Sequence, residues 1–129
     1  MVFAEHGIVE VKIEDNILLV EATGPFNEEL VQYYEQSLES CIKILEDSSW
    51  NQIIILHKLS MFTTEAEHKL VQTLKNRKER GLKASAVVLD NIEGESLVKT
   101  QMSRCYECAN VDYKFTSSVH EAKQWLSMQ

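Results

Sequence analysis

The chain has 129 residues, of which 20 are acidic and 13 are basic, giving a net charge of −7. This length suits one domain with an ordinary buried core, and we take residues 1–129 as a single domain. The negative charge repels phosphate backbones and anionic lipid surfaces, so the composition argues against general nucleic-acid binding.

The sequence shows no segment that would direct the chain to a membrane. No basic-then-apolar leader opens it, and no apolar run approaches the ~20 residues that span a bilayer. We therefore expect a cytoplasmic protein without a membrane span. In that reducing compartment an odd number of cysteines, namely Cys41, Cys105 and Cys108, predicts free thiols.

Two short apolar segments at the start of the chain predict a β-hairpin. Residues 7–14 and 16–22 are both rich in aliphatic side chains. Asp15 and Asn16, at the junction, are residue types that tolerate the left-handed backbone of a tight turn. A Gly–Pro pair then ends the second strand.

Helix signals alternate with strand signals along the rest of the chain. Asn27 is a good N-cap for a first helix that we predict to reach about residue 47. The predicted elements that follow are an inner strand at 53–56, a helix at 64–80, an inner strand at 84–89, a helix around 97–106, a strand near an edge of the sheet at 111–116, and a last helix opened by a capping box of Ser118 and Glu121. We interpret the basic residues at 75–80 as a solvated helix end rather than a binding patch. The alternation predicts an α/β fold with a mixed, largely parallel sheet in β-β-α-β-α-β-α-β-α order.

The stretch at 53–67 is the best candidate for a functional site. It has the pattern of a buried strand, a short loop and a helix start, a junction that often holds a ligand or a regulatory group because unpaired helix amides favour negative charge there. Thr64 and Glu67 have capping-box spacing, so we predict that Thr64 is the N-cap of this helix. His57 stands at the end of the strand, and we expect it to pack against the loop.

The order of elements resembles that of the STAS family, the anti-sigma-factor-antagonist and sulphate-transporter domain, and especially its stand-alone SpoIIAA-like members. The resemblance covers nearly the whole chain and rests also on the segments LHKLSMFTT at 56–64 and FTSSVHEAKQWL at 115–126. It implies a SpoIIAA-like fold in which the loop before the second helix receives phosphate from a partner kinase. The family's Asp-Ser-Ser-Gly motif falls here on Thr63, Thr64, Glu65 and Ala66. Only the hydroxyl of Thr64 is kept, so Thr64 is the phosphoacceptor candidate of a switch that we predict to be degenerate.

Other chemical motifs are weak or missing. Cys105 and Cys108 have the spacing of a redox or zinc half-site, but they lie at the end of a predicted helix, where the dipole disfavours a thiolate. There is no second cysteine pair, no glycine-rich phosphate loop and no nucleophile elbow. We therefore predict a chain that is not an enzyme, with no catalytic residue, metal or cofactor.

Two functions are the main candidates. An enzyme that uses His57 is a third, less favoured candidate. The first is a non-catalytic STAS-like regulatory module that binds an unknown protein partner, and a homodimer is also possible. The predicted interaction loop surrounds Thr64 and contains His57, Ser60, Met61, Phe62, Thr63 and Glu65. The alternative is a small carrier that holds an apolar, lipid-like ligand between helices and sheet. The residues that suggest the carrier, which a plain core also explains, are Tyr33, Tyr34, Met61, Phe62 and Met102.

Overall fold

A computed structural model describes residues 9–129, and residues 7–8 of the predicted first strand lie outside this range. Strands and helices alternate after an initial pair of strands. The elements are β1 (Val9–Glu14), β2 (Ile17–Thr23), α1 (Glu28–Leu45), β3 (Trp50–His57), α2 (Thr64–Glu79), β4 (Leu82–Asp90), α3 (Glu95–Ala109), β5 (Asp112–Thr116) and α4 (Val119–Leu126). The predicted α/β class with a mixed sheet is confirmed.

The strands are arranged in the sheet in chain order, β1-β2-β3-β4-β5. β1 and β2 pair antiparallel around a turn in which Asp15 has a φ of 55°, as the hairpin prediction requires. Each later strand pairs in parallel with the one before it. β3 and β4 are thus inner strands and β5 is an edge strand, and all three predictions are confirmed.

Helices cover both faces of the sheet, but unequally. α1, α2 and α3 pack on one face around a large core that includes Leu18, Leu38 and Val87. Among the helices of residues 9–129, α4 alone packs on the other face, against a smaller cluster. The run of aliphatic residues in β3 is buried on both sides, because successive side chains of a strand point to opposite faces.

Local sequence signals set most helix boundaries. The Asn27 side chain accepts a hydrogen bond from the Leu30 amide at 2.8 Å, so the predicted cap of α1 is confirmed. That helix ends at Leu45, two residues before the predicted end at 47. α2 ends just before Gly81, whose φ of 107° is a conformation that residues with a side chain rarely adopt.

The basic end of α2 is packed, and the interpretation of a solvated helix end is wrong for two of its residues. Arg80 forms two hydrogen bonds with Glu39 and one with Glu46, and its bonds to Glu39 lower the pKa of that carboxyl. Arg77 is only 5% exposed and points into the core, where Glu35 pairs with it. Sequence spacing could have revealed Arg77, because it follows Leu70 and Leu74 at helical intervals on the buried face.

Candidate functional site

The loop between β3 and α2, residues 58–63, lies at the carboxyl edge of the parallel strands. We call it the β3–α2 loop. Phe26 holds it from one side: the Phe26 amide donates to the Met61 carbonyl at 2.8 Å, and the Thr63 amide donates to the Phe26 carbonyl at 3.0 Å. These bonds form a one-residue parallel bridge between Phe26 and Phe62, whose rings are stacked with centroids 4.6 Å apart.

Gln101 of α3 holds the same loop from the other side. Its side-chain oxygen accepts from the Phe62 amide at 3.0 Å, and its side-chain nitrogen donates to the Phe62 carbonyl at 2.8 Å. Gln101 is 7% exposed, so water competes little for these bonds. The loop is therefore fixed on both sides before any partner binds.

Ser60 and His57 support the loop from beneath. Ser60 is fully buried, and its hydroxyl donates to the His57 carbonyl at 2.7 Å. The His57 ring lies beside two carboxylates, with Nδ1 2.9 Å from Asp90 and Nε2 3.9 Å from Glu21. The burial of Ser60 removes it from the surface that a partner could touch, whereas Thr63, Thr64 and Glu65 are exposed.

The N-cap of α2 is Thr63, and the prediction that Thr64 caps this helix is wrong. The Thr63 hydroxyl accepts from the Ala66 amide at 3.1 Å, which places Thr64 one residue later as the first helical residue. The Glu67 carboxylate binds Arg104 through two hydrogen bonds of 3.0 Å instead of returning to the cap. The cap role therefore does not occupy the Thr64 hydroxyl. Thr64 and Arg104 both line a groove between α2 and α3.

A chamber of about 60 Å³ lies between the sheet and the three helices on its larger face. Of the five residues that suggested a ligand, Tyr34, Phe62 and Met102 line it, and Tyr33 and Met61 do not. The full lining is Val20, Ala22, Phe26, Val31, Tyr34, Leu38, Gln52, Ile54, Leu56, Phe62, Leu70, Leu74, Arg77, Met102 and Tyr106. Most of these side chains are apolar, so the chamber resembles an apolar ligand pocket in character but not in size.

A line of buried and partly buried polar side chains, the polar chain, passes one wall of the chamber. It consists of Glu35, Arg77, Gln52, Ser85 and Tyr106, joined in that order by hydrogen bonds of 2.5, 3.1, 3.0 and 2.7 Å. Burial raises the pKa of the Tyr106 hydroxyl, which therefore stays protonated. The polar chain links α1, α2, β3, β4 and α3, and the sequence did not reveal these hydrogen bonds.

The three cysteines have unlike surroundings. Cys105 is buried, Cys41 is partly buried and Cys108 is exposed, and all three are free thiols in the structure. Burial, with the Glu67 carboxylate nearby, raises the pKa of Cys105 to about 12, which makes it an unreactive thiol at neutral pH.

Residues 9–129 contain no group of three His, Cys, Asp or Glu side chains arranged as a metal ion would require. Nor is any helix in the same range both long and apolar enough to cross a bilayer.

Comparisons with known proteins leave the family open. Neither the family models nor the curated proteins that were searched match this chain. The function must accordingly be inferred from the geometry of the residues themselves.

Proposed function

We propose that this chain is a non-catalytic, STAS-like regulatory module that binds a protein partner through the β3–α2 loop and the first turn of α2. The observation that carries the proposal is the fixation of Phe62 by Phe26 and Gln101. A surface that is already ordered loses less conformational entropy on binding, so a small loop can supply useful affinity. Thr63, Thr64 and Glu65 are exposed beside this fixed point.

Two features support the resemblance to SpoIIAA-like domains. The element order begins with a hairpin and continues with strands and helices in alternation, as that family's order does. The parallel pairing of β2 through β5 brings the β3–α2 loop to the edge where the family carries its phosphoacceptor. We assign the chain to the cytoplasm as part of the same proposal.

The phosphorylation switch of the family is degenerate in our proposal. A phosphate on Thr64 would gain from the amino end of α2, but it would add about two negative charges beside the exposed carboxylate of Glu65. The Asp and Gly of the family motif are replaced by Thr63 and Ala66. We therefore expect binding to be governed by the loop surface without phosphate, and phosphoproteomics on the native cell should find no stoichiometric phosphate on Thr64.

Affinity capture from the native cell with matched charge-reversal variants tests the interaction surface. Glu65→Arg changes the first turn of α2, and Asp47→Arg makes the same charge change at an exposed residue just after α1. We expect a partner that is captured by the wild type and by Asp47→Arg but lost with Glu65→Arg. Thermal melting of each variant serves as the folding control.

Two results would contradict this proposal. One is a partner set that Glu65→Arg and Asp47→Arg reduce equally, which would indicate a general charge effect. The other is a substrate turnover that disappears in His57→Ala while the fold is kept, which would make the chain an enzyme.

The carrier alternative is less well supported than the interaction module. A chamber of about 60 Å³ is far smaller than the roughly 300–1,000 Å³ of ordinary ligand pockets. A lipid-like chain would need the helices to separate from the sheet. Native mass spectrometry that found a co-purified lipid would favour the carrier over the module.

A further inference from the structure

The outer edge of β1 is open within residues 9–129, because β1 is the first strand of the sheet and pairs there only with β2. An open edge presents backbone amides and carbonyls that can pair with another strand. The contact between β2 and β3 shows which residues present them. The Asn16 carbonyl accepts from the Asn51 amide at 2.9 Å, so Asn16 points toward β3 and the next residue, Ile17, points toward β1.

The alternation of backbone groups along a strand then assigns the two sides of β1. Ile17 lies opposite Glu14, so the amide and carbonyl of Glu14 point to β2, as do those of every second residue before it. The residues whose groups point to the open side are Val9, Val11 and Ile13. A strand that joins this edge must place its own outward-pointing residues opposite these three.

A second copy of β1 meets this requirement, and its charges match, when Val11 lies opposite its own counterpart across a two-fold axis. Val9 then lies opposite Ile13, and about six backbone hydrogen bonds form between the two strands. Glu10 of each copy lies opposite Lys12 of the other, on the face of the sheet away from the core that holds the three apolar residues. A shift of two residues in either direction opposes Lys12 to Lys12 or Glu10 to Glu10, and like charges directly opposite are destabilising.

The flank of α1 beside β1 carries apolar surface that a second copy would cover. α2 contacts both α1 and α3, whereas α1 also contacts β1. The flank of α1 toward α2 carries Glu35 and Glu39, which bind arginines of α2. The opposite flank therefore faces the open edge, and helical spacing places there Tyr33, Cys41 and Ile44, of which the last is 68% exposed.

We propose that β1 and this flank of α1 form an interface with a second copy of the chain, in which β1 pairs antiparallel with β1 and the two sheets become one. The two-fold axis passes beside Val11 and makes the two α1 helices antiparallel, so that Tyr33 of one copy lies toward Ile44 of the other. The β3–α2 loop is not part of this interface, so dimer formation and partner capture can be tested separately.

Sedimentation equilibrium with charge variants tests the pairing of Glu10 with Lys12. We expect the wild type to dimerise and Lys12→Glu to raise the dissociation constant about tenfold or more, because two opposed pairs in each dimer change from attraction to repulsion. Glu10→Lys should weaken the dimer in the same way, and the double variant Glu10→Lys/Lys12→Glu should restore it. Lys75→Glu makes the same charge change at an exposed site on α2 and should leave the dissociation constant unchanged.

A second pair of variants tests the flank of α1. Ile44→Lys replaces an exposed apolar side chain with a charged one inside the proposed interface, and Leu97→Lys does the same on α3, where the side chain is also exposed. We expect Ile44→Lys to raise the dissociation constant about tenfold or more, because each dimer loses two buried isoleucines, and Leu97→Lys to leave it unchanged.

Disulfide trapping tests the register of the two strands. In the proposed pairing, the Cα atoms of position 10 and position 12 of the other copy are about 4.5 Å apart, whereas position 10 is about 8 Å from its own counterpart, too far for a disulfide. The experiment uses chains that also carry Cys41→Ser and Cys108→Ser. With oxidised glutathione, a mixture of Glu10→Cys and Lys12→Cys proteins should give several-fold more covalent dimer than either protein alone.

Three outcomes would overturn the proposal. One is a wild type that stays monomeric at every concentration up to its solubility limit. The second is a double charge variant that is folded by circular dichroism but does not regain the dimer. The third is a covalent dimer that Lys12→Cys alone forms as readily as the mixture, which would indicate a different register or a different interface.

Discussion

Under α4 the sheet meets an aliphatic cluster, whereas under α1, α2 and α3 it meets a larger core that contains both a chamber and the polar chain. Small residues such as Ala84 and Ala86 on β4 let α4 approach closely. The opposite face combines unfilled volume with a buried ion pair. The comparison teaches that one face of a sheet can be packed with small aliphatic side chains while the other accommodates a connected line of polar side chains.

The largest expected effect tests the buried charge on the face of the three helices. Arg77→Met removes the partner of Glu35 and a donor to Gln52, so we expect the free energy of unfolding to fall by about 3 kcal/mol or more. Lys123→Met, which breaks an exposed ion pair with Glu14 beside α4, should change it little. Urea denaturation measures both, and equal losses would remove the contrast between the faces.

Alkaline pH should lower the free energy of unfolding through Cys105, which lies in the core under α1, α2 and α3. The unfolded chain releases this thiol proton near pH 9, whereas burial raises the folded pKa to about 12. Between these values the folded state holds more protons, so the free energy of unfolding falls as pH rises. Below pH 9 this contribution is fully present. We expect Cys105→Ala to reduce the fall in stability with pH, and Cys108→Ala, at an exposed site, to leave it unchanged. Denaturation midpoints measured from pH 8 to 12 test this. If the curves of the wild type and Cys105→Ala run parallel, the prediction is wrong.

Adding one methylene should change the free energy of unfolding in opposite directions on the two faces of the sheet. Val20→Ile fills part of the chamber, and we expect a gain of about 0.5 kcal/mol in the free energy of unfolding. Val88→Ile overfills the cluster under α4 and should cost about 1 kcal/mol. Losses of similar size in differential scanning calorimetry would mean that both faces are equally close-packed.

The smallest effect concerns the start of α2. Thr63→Ala should cost about 1 kcal/mol because the Ala66 amide loses its acceptor, whereas Thr64→Ala should cost at most a few tenths. Chemical denaturation of the two variants side by side measures the difference. A larger loss of stability for Thr64→Ala than for Thr63→Ala would indicate that Thr64 is the N-cap of α2.

Local patterns predicted the elements of this fold but not the partners of its charged residues. The hairpin, the inner strands and the caps at Asn27 and Ser118 depend on neighbours within a few positions, and they were predicted correctly. At Ser118 even the acid of the capping box acts, although Glu121 accepts from the Ser117 amide rather than from the cap residue itself.

The same motif failed at α2, where two threonines in succession offer the same capping side chain and the structure uses the first, Thr63. Glu67 binds Arg104 instead, a partner 37 residues away that the local sequence does not contain. Arg77 likewise finds Glu35 at a separation of 42 residues. The chamber depends on three helices at once, so only its apolar lining residues could be suspected beforehand.

Gln101 has a mechanical consequence for any partner that pulls on the β3–α2 loop. Its side-chain amide pairs with Phe62 as a peptide group of a neighbouring strand would, yet it belongs to a helix. The loop cannot lift from the sheet unless these two bonds break or α3 moves with it. A load applied at Phe62 is therefore shared with α3 for as long as these two bonds hold.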